Sequence, residues 1–277
     1  MEDKSESEEI TFFENTLIAG KDLASSSPDL TDQLQVQNAN PQIASNNLYK
    51  GVTDTFVRVT REQGFRSLWR GYVPHALIGA LVLTDPIKNF YKDRVGYDKE
   101  KARFGQKLGL LAAHSTAFLL TYPLAFAYTR LAADVGKGES REFKGMTNCF
   151  TRILKVDGPR GLFRGFTVAL PAYLIGEGIE AFETRFKENG QLGLFQTWAI
   201  VQATTCGMTL LAYPFDTISC RMMIQSGQKE KLYTNGLDCV AKTFRNEGIK
   251  GFYKGSLISM VTLSGLGFAA VWAERNF

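Results

Sequence analysis

Three glutamates at helical spacing are the side chains in this sequence best suited to chemistry. Glu177, Glu180 and Glu183 recur three residues apart, which places them near one face of a helix. A carboxylate inside an apolar segment is costly, so these acids suggest the binding of a proton or a cation. The alternative, which we favour, is that they face a protein partner or the water-filled end of the helix.

The thiol and imidazole side chains do not form a metal-binding pattern. They are Cys149, Cys206, Cys220, Cys239, His75 and His114. The cysteines have no CxxC spacing and the histidines are too few for a zinc site, so unpaired thiols in a reducing compartment are expected. His114 lies in the segment AAHSTA, and we interpret it as a hydrogen-bonded packing residue rather than a proton carrier.

Composition limits the classes of protein to consider. The chain has 277 residues, of which 44% are hydrophobic, and a mean hydropathy of −0.12. These values are typical of a helical bundle in which each helix shows one face to lipid and another to water or protein. The net charge of +4 is mild and the basic residues are dispersed, which argues against nucleic-acid binding. Residues 1–10 form an acidic tail that resembles neither a secretory signal nor a transit peptide, so any targeting information is expected to be internal.

One glycine-containing motif occurs three times and defines an internal repeat. It runs from Gln63 to Gly71, from Asp157 to Gly165 and from Glu247 to Gly255, and its final glycines lie 94 and 90 residues apart. A second set of glycines precedes the motif in each unit, at Gly51, Gly145 and Gly236. TYP at Thr121–Pro123 and AYP at Ala212–Pro214 add a third repeated landmark. The chain is therefore three copies of a unit of roughly ninety residues.

Long and short helices alternate within each unit. Five segments are long enough, at about 1.5 Å per residue, to cross most or all of roughly 30 Å of hydrocarbon. They are Tyr72 to Tyr91, Phe104 to Leu131, Phe166 to Lys187, Leu194 to Gln225 and Ser256 to Ala273. The first span, Thr11 to Ser26, has only 16 residues and is expected to be shortened. The segments Val52–Arg61, Met146–Lys155 and Leu237–Asn246 are predicted to be short amphipathic helices, lying at a membrane surface or simply packed on the bundle.

These repeats and motifs resemble those of the mitochondrial carrier family. The strings LQVQ at Leu34–Gln37, REQG at Arg61–Gly64, TRLAADVGKG at Thr129–Gly138, AYPFDT at Ala212–Thr217 and RMMIQSGQK at Arg221–Lys229 are similar to its ADP/ATP carrier branch. The resemblance covers the chain from about Phe12 onward. It implies an all-α membrane protein of the inner mitochondrial membrane, with six transmembrane helices around a pseudo-threefold axis and three matrix-side amphipathic helices. Residues 11–277 would form one carrier domain with repeats at about 11–98, 99–190 and 191–277, without enzymatic activity.

The resemblance also implies a gate, and most of that gate is missing. In the family, each odd-numbered helix carries a proline, an acid two residues later and a base five residues later, and these charges pair to close the matrix side. Here the three positions are Ser26, Pro28 and Thr31 in the first repeat, Pro123, Ala125 and Tyr128 in the second, and Pro214, Asp216 and Ser219 in the third. Asp216 alone of six gate charges survives.

Nucleotide contacts implied by the resemblance are also depleted. ADP and ATP bring several negative charges, so their site needs Arg or Lys from different helices. Residues 72–87 contain no Arg or Lys, the helix-six arginine position is Thr262, and the tyrosine and arginine positions of helix four are Gly176 and Glu177. Lys21 could supply a residual contact from helix one.

The arginine triplet that marks adenine-nucleotide exchangers is broken as well. It would occupy positions 219 to 221, which read Ser219, Cys220 and Arg221. Arg221 and Arg130 lie near helix ends, where structural or lipid-headgroup contact is favoured over residual substrate binding.

Features that bind lipid in the family persist. The resemblance implies that the glycines at 51, 71, 145, 165, 236 and 255 help to hold cardiolipin headgroups through backbone N–H groups at helix N-termini. Structural cardiolipin is thus expected, with no other cofactor, metal or nucleic acid.

Three functions remain open from the sequence. The favoured one is a carrier-like protein that has lost exchange and serves as a structural subunit of a larger inner-membrane assembly, such as a respiratory complex. The others are a working ADP/ATP exchanger with an unusual gate and a carrier of a less charged solute.

Overall fold

The computed structural model describes residues 28–44, 47–81, 86–87, 90, 101–136, 141–176, 194–228, 230–257 and 259–260. Within these ranges the secondary structure is helical, without strands. Several sequence-based predictions fall outside them: the short first span Thr11–Ser26 with Lys21, the acids Glu177, Glu180 and Glu183, and Thr262.

The helices follow the alternation of long and short segments predicted from the sequence. They are α1 (Pro28–Val36), α2 (Val52–Gln63), α3 (Tyr72–Leu81), α4 (Lys101–Ala132), α5 (Met146–Val156), α6 (Pro159–Leu162), α7 (residues 166–176), α8 (Leu194–Ile224) and α9 (Gly236–Glu247). Short 3₁₀ turns at Phe65–Trp69 and Ile249–Tyr253 follow α2 and α9, and α6 holds the same place after α5.

The two longest helices lie where long helices were predicted. α4 has 32 residues and α8 has 31, and Pro123 and Pro214 lie inside them. In the part of the chain that is described, no helix combines the length and the apolarity needed to span a membrane.

The short amphipathic helices are confirmed as α2, α5 and α9. Each buries two side chains four residues apart, one helical turn, on the face toward the bundle. The buried pairs are Thr55 and Val59, Cys149 and Ile153, and Cys239 and Thr243. Apolar side chains also remain on the outer face, such as Phe56, Leu154 and Leu237. Placement of that outer face at a membrane surface stays a prediction.

The core lies where the C-terminal ends of α1, α4 and α8 meet. These three helices pack against one another pairwise. Val36, Ala133, Cys220 and Ile224 form one buried cluster to which all three repeats contribute. We call this region, the last turns of α1, α4 and α8, the convergent end.

Candidate functional site

One long polar side chain from each repeat ties the convergent end into a ring. These side chains are Gln33, Arg130 and Arg221, all buried, and each donates a hydrogen bond to a backbone carbonyl on the next helix. The acceptors are Ala132, Ile224 and Gln35 respectively, at 3.2 Å from Gln33 Nε2 and 3.1 Å from Arg221 Nε. The last carbonyls of a helix have no partner within it, so this ring supplies them with hydrogen-bond donors from a neighbouring repeat.

The two arginines of the ring are neutralised by acids at different places in their repeats. Arg130 Nη2 lies 2.6 Å from Glu142 Oε1, on the loop before α5. Arg221 binds Glu247, the acid of the third glycine motif, with Nη2 2.9 Å from Oε2, and Lys254 Nζ lies 2.8 Å from the same oxygen. A buried guanidinium is stable only when its charge is compensated. Both arginines are therefore engaged, which favours a structural role over substrate binding.

The pKa of Glu247 reflects these contacts. Burial alone would raise the pKa of this carboxyl, but hydrogen bonds from Arg221, Lys254 and Asn38 outweigh burial and lower its pKa to about 2. The carboxylate is therefore ionised throughout the physiological pH range.

The three base positions of the gate are packed against the final glycines of the glycine motifs. Tyr128 lies against Gly71, Ser219 against Gly165, and Thr31 against Gly255, so each contact joins one repeat to the next. A Cβ added at Gly165 would lie 3.0 Å from the Ser219 carbonyl oxygen, and one at Gly255 would lie 3.3 Å from that of Thr31. Gly165 and Gly255 also have φ of +90° and +89°, in the left-handed region that favours glycine.

The acid positions of the gate have no ion pair among the described residues. Pro28 begins α1, Ala125 lies within α4, and Asp216 accepts a hydrogen bond from Gln35 Nε2 at 3.2 Å. At the predicted acid position of the third repeat, the contact with the first repeat therefore pairs an amide with a carboxylate.

The tyrosines that precede the two helix prolines connect to the glycine motifs. Tyr122 Oη donates to the Arg164 carbonyl at 2.9 Å, and Tyr213 Oη donates to the Lys254 carbonyl at 3.0 Å. Each acceptor directly precedes a final motif glycine, Gly165 or Gly255. The TYP and AYP repeat was the signal for this contact, although the sequence did not show its partner.

A hydrogen bond that the sequence did not predict recurs in all three repeats. A side-chain oxygen just beyond α1, α4 or α8 accepts a hydrogen bond from the N–H of a buried aromatic residue before the short helix. The pairs are Gln37 with Tyr49 at 2.7 Å, Asp134 with Phe143 at 3.1 Å and Gln225 with Tyr233 at 2.8 Å. A cation nine residues later then lies over each ring: Arg58, Arg152 and Lys242, at 4.7, 5.7 and 6.0 Å from the ring centroids. The aromatic-to-basic spacing of nine residues could have revealed it.

The N-termini of the short helices show that one glycine was misaligned between the repeats. Gly51 and Gly145 occupy the N-cap positions of α2 and α5, with open space around them. In the third repeat the N-cap is Asn235, whose side chain accepts a hydrogen bond from Asp238 N at 2.9 Å. Gly236, which the sequence analysis aligned with the other two glycines, lies one residue inside α9, where a Cβ would meet Val168. The prediction that these termini hold cardiolipin remains a prediction.

The remaining candidates have no part in the ring of polar side chains at the convergent end. His114 is buried with its ring 6.5 Å from that of Tyr173, in keeping with a packing residue. Burial raises the pKa of the Cys149 thiol to about 12 and that of Cys239 to about 11. Gly176 ends the described part of α7. Across the described residues, His, Cys, Asp and Glu form no group of three suited to a metal ion.

Three helical repeats, joined cyclically where α1, α4 and α8 converge, define a carrier-type repeat protein. Residues 32–83, 106–188 and 190–273 match the family described as Mitochondrial carrier protein, and the chain belongs to that family. It is 38% identical over 247 residues to the mitochondrial substrate carrier family protein ancA of Dictyostelium discoideum, covering 84% of this chain and 80% of the relative. It is 39% identical over 254 residues to ADP/ATP translocase 3 of Homo sapiens, covering 86% and 85%. The ADP,ATP carrier protein of Parachlorella kessleri is 37% identical over 256 residues, covering 86% and 74%.

These relatives confirm the family predicted from the motifs. Carriers and translocases move solutes rather than transform them, so the chain belongs to a family of transporters.

Proposed function

We propose that this chain is a carrier-family protein of the mitochondrial inner membrane that has lost adenine-nucleotide exchange and serves as a structural subunit of a larger complex, such as a respiratory complex. The observation that carries the proposal is the state of the gate. Asp216 is the one gate charge that remains, and the neutral amide of Gln35 is its partner.

The packing of the gate supports loss of transport. A transporter must populate both a closed and an open state. The contacts that close it must therefore be replaced by other favourable interactions when it opens, because otherwise the closed state dominates the population. Ion pairs meet this need, since their charges can be hydrated or paired again. Thr31, Tyr128 and Ser219 instead pack against glycines and carry no charge. Opening would expose these contacts without a compensating interaction.

The scarcity of uncompensated cations among the described residues supports the same conclusion. A nucleotide with three or four negative charges needs several uncompensated cations. The described part of α3, Tyr72–Leu81, contains no Arg or Lys. Arg130 and Arg221 are buried and already paired with Glu142 and Glu247. A phosphate at either arginine would have to displace the carboxylate that already pairs with it, which is costly.

A working exchanger is the second candidate, because the relatives named as ADP/ATP translocases cover most of this chain. A carrier of a less charged solute is the third candidate, since the gate contacts are neutral apart from Asp216. The structural subunit is preferred because it accounts for the loss of both gate and nucleotide contacts.

We also propose that cardiolipin binds the N-termini of α2 and α5. Gly51 and Gly145 are N-cap residues without a side-chain cap, and the space beside each is open, which suits the approach of an anionic headgroup to the first backbone N–H groups. Gly51→Val and Gly145→Val would crowd these sites, and native mass spectrometry should then show fewer retained cardiolipin molecules. Retention equal to that of the unmodified protein would contradict this assignment.

Reconstitution in liposomes tests the main proposal. The purified protein should show no exchange of labelled ADP, whereas an ADP/ATP translocase prepared in parallel should exchange it and be blocked by the family's inhibitors. In a thermal-shift assay, ADP at about a hundred times the dissociation constant of a true carrier would stabilise that carrier by about 2.7 kcal/mol. We expect no such shift here. Robust inhibitor-sensitive exchange would overturn the proposal.

Native gel electrophoresis of mitochondrial extracts tests whether the protein is a subunit of a larger complex. A structural subunit should migrate with a complex far larger than its own 30.8 kDa. Quantitative migration as a free protein would remove the support for a subunit role.

A further inference from the structure

Two carboxylates lie between α1 and α8, next to the convergent end. Asp216 of α8 accepts a hydrogen bond from Gln35 Nε2 at 3.2 Å. Asp32 is buried and lies on α1 about one turn before Gln35, on the same side of the helix. Both carboxylates interact electrostatically with the buried residues Tyr213 and Cys220, so they belong to one region of the bundle.

The arginines of the convergent end do not compensate the charge of Asp216. Arg130 and Arg221 are each bound to a glutamate of their own repeat. The base position that the carrier pattern assigns to α1 is Thr31, which is neutral. Among the described residues Asp216 therefore has an amide as its partner and no cation, and its negative potential attracts one.

The carboxamide of Gln35 points to a ligand independently of the acids. Gln35 is 0% exposed, and its Oε1 has no hydrogen-bond donor among the described residues. The bond to Asp216 sets the orientation of this group, because the reverse orientation would place Oε1 against a carboxylate. Tyr213 lies beside the carboxamide, but its hydroxyl donates to the Lys254 carbonyl at 3.0 Å. A buried amide oxygen without a donor is costly, and a cation bound next to Asp216 would satisfy both groups.

The donor atoms define the class of cation. Carboxylate and carboxamide oxygens suit hard ions, namely alkali and alkaline-earth cations. Cys220 packs in the apolar cluster of the convergent end, so a soft metal that prefers thiolate is not favoured. An amide oxygen completes this set of ligands without a third acid. Asp216 itself is exposed, which leaves one side of the site open to an ion from solution.

We infer that Asp216, Asp32 and Gln35 Oε1 bind a hard metal cation between α1 and α8, where the ion takes the place of a missing gate base. The ligands come from the first and third repeats, so the ion would hold these repeats together. The sequence did not predict a metal here, because Gln35 and Asp216 are 181 residues apart in the chain. The inference goes beyond the proposed function and does not depend on a subunit role.

Thermal unfolding at constant ionic strength tests the inference. The purified full-length protein is unfolded in detergent with choline chloride, whose cation these oxygens cannot chelate, and then with K⁺, Na⁺, Mg²⁺ or Ca²⁺ titrated in place of choline. At about a hundred times its dissociation constant, the bound ion should raise the melting temperature by roughly 5 °C. Asp216→Asn should reduce this rise to below about 1 °C, because a neutral amide binds a hard cation more weakly than a carboxylate.

Two further variants make the comparison specific. Glu230→Gln removes one negative charge at an exposed position beyond α8, and its melting temperature should rise with the cation as in the unmodified protein. Gln35→Lys places an ammonium group next to Asp216, where it should replace the ion. This variant should stay folded in choline and lose the response to the metal cations.

The outcomes separate the site from other sources of a cation effect. The cation that stabilises the unmodified protein and Glu230→Gln but not Asp216→Asn is the ion bound at this site. An equal response in Asp216→Asn and Glu230→Gln would overturn the inference, because the ion would then bind elsewhere, for example at lipid headgroups. No response of the unmodified protein to any of the four cations would overturn it too, since a proton or water would then satisfy these oxygens.

Discussion

Gly165→Ala probes the packing of the gate positions most directly. The new methyl group would lie 3.0 Å from the Ser219 carbonyl oxygen, 3.1 Å from Tyr122 Oη and 3.2 Å from Ser219 Oγ. The first of these is backbone and cannot move without shifting α8. The residue would also have to keep a φ of +90°, which is strained for any residue with a Cβ.

The expected cost can be worked out from these two effects. An L-residue in the left-handed region costs about 1 to 2 kcal/mol. An extra methyl group in a well-packed site costs about 1 to 3 kcal/mol more. The free energy of unfolding should therefore fall by about 2 to 5 kcal/mol. At about 2 °C per kcal/mol for a chain of this size, the melting temperature should drop by roughly 4 to 10 °C.

Gly145→Ala is the matched control in the same repeat. Its φ of 163° is extended backbone, and a Cβ there meets nothing within 4 Å. The loss of unfolded-state entropy on replacing glycine by alanine is common to both variants and cancels in the comparison. We expect Gly145→Ala to unfold within about 0.5 kcal/mol of the unmodified protein, as for a surface change.

The buried thiols make the assay simple. Cys149, Cys220 and Cys239 are free and buried, so a thiol-reactive dye reports their exposure as the protein unfolds in detergent. If the melting temperatures of Gly165→Ala and Gly145→Ala differ by less than 1 °C, the inference that Ser219 packs too closely on Gly165 to admit a Cβ is refuted.

Three further predictions concern the same end of the bundle. Arg221→Gln should lower the free energy of unfolding by about 1.5 to 3 kcal/mol, because Glu247 loses its hydrogen bonds to the guanidinium and keeps only Lys254 as a countercharge. Combining it with Glu247→Gln should recover part of this loss in thermal unfolding. The folded-state pKa of Glu247, about 2, lies below its ordinary 4.5, so its contribution is present above pH 4.5 and is lost as pH falls toward 2. The stability gap between the unmodified protein and Glu247→Gln should therefore narrow below pH 4.5, and a constant gap would contradict the assignment. Restoring gate charges with Ala125→Asp, Tyr128→Arg and Ser219→Arg should leave ADP exchange in liposomes absent, since the nucleotide contacts stay missing; recovered exchange would show that only the gate had been lost.

Local patterns predicted the elements well because helices depend on neighbours in sequence. The apolar spacing within 52–61, 146–155 and 237–246 predicted α2, α5 and α9 within one or two residues of their observed ends. Gly236 was aligned with Gly51 and Gly145, but the N-cap of α9 is Asn235, one residue earlier. Capping is decided by a side-chain hydrogen bond, and the spacing of glycines does not report it.

Contacts between repeats were less predictable. Arg130 and Arg221 lie at equivalent positions, yet one binds a loop acid, Glu142, and the other the motif acid, Glu247. Both acids were visible in the sequence, but the choice between them depends on the spatial approach of segments that the chain order does not specify.

The sequence by itself determined that the chain is a tripled helical unit, that it belongs with the carriers, and that five of the six positions predicted for gate charges hold uncharged residues, because repeats and residue types are properties of chain order. Tertiary structure decided what the residues at the predicted base positions contact. The packing of each base position on a glycine of the preceding repeat and the ring through Gln33, Arg130 and Arg221 both join residues from different repeats. Such contacts arise only when three helix ends converge, because their distances depend on how separate helices pack.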